Sequence, residues 1–168
     1  MNLVGRLILV LLRSFRDRGK RFSALGEATL VFRVLPHDLD INIHVNNARY
    51  LQWMDLGRFD FMNRLGIFGT ALRRKWMPVL GGVNIRYHRP LHFLQQVQLI
   101  TRVISWDEKW FYMEQRFVRE GKPIATAYAK ALFRGPEQSV PTAEVLALMD
   151  PTLQPPPFPP ELAGIRDN

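Results

Sequence analysis

The chain has 168 residues, 47% of them hydrophobic, enough for one buried core and too few for two comfortable domains. It contains no cysteine, which excludes disulfides, thiolate zinc sites and a cysteine nucleophile, so any catalysis must rest on carboxylate, amide or imidazole groups. The formal net charge is +8, but residues 1–21 hold Arg6, Arg13, Arg16, Arg18, Lys20 and Arg21 against Asp17 alone, and a positive excess gathered at one end argues against a nucleic-acid-binding face.

In chain order, residues 1–22 read as a basic amphipathic segment. Leu3, Leu7, Ile8, Val10, Leu11, Leu12 and Phe15 are apolar, while Arg6, Arg13, Asp17 and Lys20 recur on a polar side. Such an element suits peripheral contact with an anionic membrane through residues 1–21, or docking on its own domain. Its longest apolar run, Leu7 to Leu12, falls far short of the roughly 20 residues that span a bilayer, and no small-residue cleavage site follows. The expectation is a cytoplasmic protein, peripheral at the membrane if this segment binds lipid.

Residues 23–140 read as one globular domain. Ala28 to Leu35 alternates apolar and polar residues and predicts a first strand ended by Pro36. The stretch from Asp38 to Tyr50 then gathers acid, amide and imidazole groups just before an apolar helical pattern. That helix is predicted from Ala48 to Leu65, with Asn46 or Asn47 as N-cap and Gly66 as its stop. Four strands follow: Val79 to Tyr87, Val97 to Trp106, Phe111 to Arg119, and Ile124 to Phe133 after a turn at Glu120 to Pro123. Gly81 and Gly82 mark either a close backbone approach or a β-bulge. Residues 141–168 comprise a short helix from Pro141 to Met149 and a proline-rich tail with too many prolines for regular pairing.

A polar cluster at a helix entrance is a place where a carbonyl can be polarised and attacked. First-turn N–H groups have no partner within the helix and carry the positive end of its dipole, so Asn46 and Asn47 are candidate oxyanion donors. Asp40 is the candidate base or nucleophile. The competing explanation for Asp and Asn here is plain turn and cap chemistry. Arg58 is a candidate helix anchor through a carboxylate as well as a substrate contact. Arg86 and Arg89, with Arg73, Arg74 and Lys75, are candidates to meet a nucleotide phosphate, although solvated charge explains such residues equally. His88 and His92 join no metal-site spacing, and no cofactor motif is present.

The Asp40-Ile-Asn-Ile-His-Val-Asn-Asn47 motif resembles that of plant-type acyl-carrier-protein thioesterases, and the Asn47-Ala-Arg-Tyr50 continuation with Arg58 resembles small bacterial acyl-CoA thioesterases of the hotdog fold. Arg33 to Pro36, Trp106 to Glu108, Phe111 to Val118 and Pro155 to Leu162 look most like the membrane-associated group named thioesterase superfamily member six. The resemblance covers residues 27 to 164. It implies an α+β hotdog domain: an antiparallel five-stranded sheet wrapped around a central helix, here carrying an amphipathic N-terminal helix and a proline-rich tail. It further implies hydrolysis of acyl-CoA or acyl-ACP with Asp40, Asn42 and His44 as site residues, substrate contacts from Tyr50 and Arg58, no cofactor or metal, and a homodimer or homotetramer. A non-catalytic acyl-CoA-binding or membrane-associated role is the alternative. Ile43 stands where many relatives place glycine before the histidine, and the closest group lacks an amide at the position of Asn42.

Overall fold

In the computed structural model, the structure describes residues 5–8, 10 and 22–166. Most of the expected N-terminal amphipathic helix therefore lies outside the described residues; positions 5–8 and 10 are helical. The strands are β1 (Ala28–Arg33), β2 (Met77–Tyr87), β3 (Gln96–Trp106), β4 (Phe111–Arg119), β5 (Lys122–Arg134) and the short β6 (Ser139–Val140). The helices are α1 (Asn47–Arg64), α2 (Phe68–Arg73), α3 (Thr142–Leu146) and α4 (Ala163–Arg166).

All pairings are antiparallel, in the order β1-β3-β4-β5-β2, with β6 added beside β5. Chain reversal between β4 and β5 is a two-residue hairpin with positive φ at both Glu120 and Gly121, the geometry a type I′ turn needs. Strand β2 closes one end of this order and is exposed or half-exposed along its whole length. A β-bulge separates Leu80 from Gly82 in its pairing with β5, and at Gly81 the close approach is to a side chain: an added Cβ would lie 2.3 Å from the Trp110 ring.

Helix α1 starts at Asn46, whose side-chain oxygen accepts from the Ala48 N–H at 2.9 Å, and stops at Gly66, whose φ of 74° suits a residue without Cβ. Its buried side chains Tyr50, Trp53, Met54 and Leu56 pack against Leu30, Phe32, Val97, Leu99 and Phe117 of the sheet. The Trp53 and Phe32 rings stack at 5.1 Å. Close seating depends on Gly57, where a Cβ would meet Leu99 and Thr101 at 2.7 Å. Buried Gln115 of β4 then straps helix to sheet, donating to the Met54 carbonyl and to Thr101 at 3.0 Å each and accepting from Arg58 at 2.6 Å. We expect Gly57→Ala to destabilise by about 1–3 kcal/mol through overpacking, readable as a lower urea midpoint; an unchanged midpoint would mean that the helix can slide on the sheet at no cost.

The proline-rich tail makes no ladder, as its prolines predict, but it is packed. Phe158 meets Tyr112 edge to face at 5.0 Å, the Ser105 hydroxyl donates to the Pro156 carbonyl at 2.8 Å, and Leu162 and Ile165 are buried with Tyr112. This cover explains why β4 is buried at adjacent as well as alternate positions. No helix among the described residues is long and apolar enough to cross a membrane.

Candidate active site

The polar motif folds into a tight loop bridging Leu39 to Val45. Asp40 donates its N–H to the His44 carbonyl at 2.9 Å, and its carbonyl accepts from Ile43 at 3.1 Å. One Asp40 carboxylate oxygen accepts from the Asn42 N–H at 2.8 Å, and the other lies 3.4 Å from His44 Nδ1. The side chain is 22% exposed, so it is held in place yet reachable. Closing the loop puts Ile43 at a φ of 61°, where a β-branched residue is strained, and leaves Ile41 and Ile43 strongly exposed beside the acid.

A second loop supports the first. The Val45 N–H donates to the carbonyl of fully buried Leu91 at 2.8 Å, and His92 Nδ1 reaches the Ile43 carbonyl at 3.4 Å. His92 is thus a neighbour of the motif, a proximity with no local sequence signal because the two residues are far apart in the chain.

The two oxyanion candidates part company here. The Asn46 N–H donates to the Asp38 carbonyl at 2.9 Å, and its side chain is occupied in capping Ala48. The Asn46 N–H is thus already donated within the chain, as its place at the N-cap dictates. Arg49 N donates to the Asn46 carbonyl at 2.9 Å. The Asn47 N–H has no acceptor among the described residues and stands at the positive end of an 18-residue helix.

Beneath the loop, Asp38 is 1% exposed and accepts from the Leu35 N–H at 2.9 Å and from Arg6 at 2.5 Å, with Arg49 Nε at 3.8 Å. The Arg6 guanidinium, itself buried, lies 5.1 Å from the Trp53 ring and also donates to the Arg33 carbonyl. Arg6 belongs to the N-terminal segment, so this stretch of the expected membrane-facing helix turns Arg6 and Val10 into the domain.

The expected substrate contacts are spread apart. Tyr50 is 2% exposed, with Tyr87 and Phe117 packed edge to face on its ring, and burial pushes its phenol well above the usual range. In a single chain it is a core residue, because its place on α1 points it at the sheet. Arg58 is bound to Asp55 and Gln115, and loss of hydration pulls its guanidinium pKa down. Arg86 and Arg89 are exposed, and Arg89 donates to the Pro123 carbonyl at 2.9 Å.

Residues 34–165 match the sequence model of the thioesterase-like superfamily. The chain belongs to that superfamily. Protein THEM6 of Danio rerio is 41% identical over 121 residues, covering 70% of this chain but only 60% of that relative's length. Among solved structures, the probable thioesterase YbaW of Escherichia coli superposes with a TM-score of 0.68 at 21% identity, covering 75% of this chain and 98% of YbaW. A gentisyl-coenzyme A thioesterase, BH1999, superposes with a TM-score of 0.63 at 24% identity, covering 72% of this chain and 98% of its own. These likenesses establish the hotdog fold.

Proposed function

We propose that the protein hydrolyses acyl thioesters, with coenzyme A or acyl carrier protein leaving as the thiol. The observation that carries this reading is the presence, at one helix entrance, of an accessible, oriented carboxylate on Asp40 and of the Asn47 N–H, which has no acceptor among the described residues. Membership of the superfamily and the hotdog fold point the same way.

In this mechanism the carbonyl oxygen of the thioester rests against the Asn47 N–H, where the helix dipole stabilises the negative charge of the tetrahedral intermediate. Asp40 acts either as base, taking a proton from water as it adds to the carbonyl carbon, or as nucleophile, forming an anhydride that water then opens. In both routes the C–S bond breaks, the sulfur leaves as thiol and the acid gains the oxygen of water. His44 and the Asn42 N–H hold the carboxylate in its orientation. Arg86 and Arg89 supply positive charge to a CoA phosphate.

The working unit is a homodimer, or a dimer of dimers, formed across β2. Among the described residues that strand ends the sheet with no partner on its outer edge and exposes Met77, Val79 and Leu80, and such an edge suits addition of a second copy. Asp40 is not among the residues that line an apolar cavity of about 310 Å³ beside α1, so the carbonyl site and the apolar wall are separate within one chain. A partner across β2 supplies the missing neighbour.

The test is thiol release by the full chain on short, medium, long and aromatic acyl-CoAs, run beside sedimentation equilibrium. Turnover by a self-associated species is expected. No turnover on any substrate, with acyl-CoA binding retained, overturns the hydrolase reading; full activity in a monomer overturns the shared site.

A further inference from the structure

Between the C-terminal half of α1, the sheet and α3 lies a cavity of about 310 Å³. Of the described side chains lining it, only Asp55, Arg58 and the indole of Trp106 carry a polar group. Exposure gives it direction. Its lining residues Asp55, Val79 and Leu80 are open to solvent, with Asp55 66% exposed, whereas Val145, Leu146, Trp106 and Phe133 are buried. The mouth thus lies at the free β2 edge beside the Asp55–Arg58 pair, and the floor is formed by α3 and the sheet beneath it.

We propose that this cavity is the acyl-chain site of the thioesterase, that it selects an unbranched aliphatic chain, and that α3 is the floor setting the longest chain accepted. The inference rests on the hydrolase reading above and names its substrate class. Arg58 already spends its bonds on Gln115 and Asp55, so the rim can face a polar thioester while the interior offers almost nothing to a hydroxyl. A ring hydroxyl buried there would lose its hydration with no partner to replace it, a penalty of about tenfold or more in affinity. A methylene chain loses nothing polar and gains about fourfold per carbon buried. The volume lies in the range of sites that enclose a small ligand. Strand β2 contributes to the mouth and is also the proposed pairing edge, so a second copy seated on it would narrow the entrance at the end where the thioester must stay.

Two measurements on the full chain test this. One is kcat/KM on saturated acyl-CoAs of increasing length and on a hydroxybenzoyl-CoA; the other is displacement of a fluorescent fatty acid by unlabelled saturated fatty acids, which requires no turnover. Affinity and kcat/KM are expected to climb about fourfold per methylene and then level off, with the hydroxyaryl substrate at least about tenfold below the best aliphatic one. Ala131→Phe, from the half-buried β5 wall, is expected to move the plateau to shorter chains, and Leu146→Ala at the floor to longer ones. Chain-length-dependent displacement without hydrolysis of any substrate retains the cavity assignment while rejecting the hydrolase reading. Preference for the hydroxyaryl substrate, or plateaus that stay put in both folded variants, overturns the assignment. Should either variant fail to fold, absence of chain-length dependence in the unaltered protein has the same force.

Discussion

Asp40→Asn is expected to lower thioester turnover by at least about a hundredfold, the scale on which a positioned acid–base group acts. The substitution is nearly isosteric, and an amide oxygen can still accept from the Asn42 N–H, so the Asx turn that shapes the loop survives. Only the charge and the basicity are lost. His44 Nδ1, 3.4 Å away, keeps a partner in the neutral amide, and KM should therefore change far less than kcat. Full-chain enzyme, wild type and variant at matched association state, would be compared by thiol release and by unfolding midpoint. A folded variant with unchanged kcat removes Asp40 from the chemistry, and the motif loop would then be an ordinary helix-entry turn whose acid caps backbone N–H groups.

Ile43 holds its positive φ inside a closed loop: its N–H donates to the Asp40 carbonyl, and the Asp40 N–H donates to the His44 carbonyl. The resemblance that brings attention to this motif also marks the place where glycine is usual. The exposed side chains of Ile41 and Ile43 lie beside the acid, and their hydrophobic surface is spent on no core.

What could be read in advance was periodicity and punctuation. The helix from Ala48 to Leu65 and the strands at Phe111 and Val97 were legible because their apolar spacing is local, and Gly66 and the Glu120–Gly121 turn have residues whose backbone geometry announces them. Helix α2 escaped because six residues, Phe68–Arg73, are too few to display a period. The tail was recognisable as unable to pair, but not as a cover: Phe158, Leu162 and Ile165 find Tyr112 only after the sheet exists. At the site, Asp40 and the helix-start amides were legible from residue type and order. That the Asp38 carbonyl takes the Asn46 N–H could not be read from order alone, nor could the cavity, since the apolar residues that fill a core and those that line a void have the same spacing.

Removing Arg6 is expected to be among the most costly single changes in the chain. Asp38 is 1% exposed, and the Arg6 guanidinium that meets it at 2.5 Å is 6% exposed, so neither charge has water to fall back on. Breaking such a pair from one side leaves an uncompensated buried charge, a loss of about 3 kcal/mol or more, whereas replacing both partners by apolar groups of similar size costs far less. Here the Leu35 N–H and the more distant Arg49 still face the carboxylate and soften the loss somewhat. Arg6→Met should therefore lower the unfolding midpoint strongly, and Arg6→Met combined with Asp38→Leu should recover much of it, a non-additivity that double-mutant analysis reads directly. Catalysis should follow the same pattern, because the Asp38 carbonyl holds the Asn46 N–H at the start of α1, next to the proposed oxyanion donor. The pair also constrains any membrane role for residues 1–21: while Arg6 and Val10 are turned into the domain, that face of the segment is unavailable to a bilayer. Deleting residues 1–21 is accordingly expected to destabilise the domain as well as to remove five of its eight net positive charges. Urea unfolding of Arg6→Met and of the double variant decides the matter: an unchanged midpoint in the single variant would mean that the N-terminal segment is a detachable arm, free to bind lipid without loosening the loop that carries Asp40.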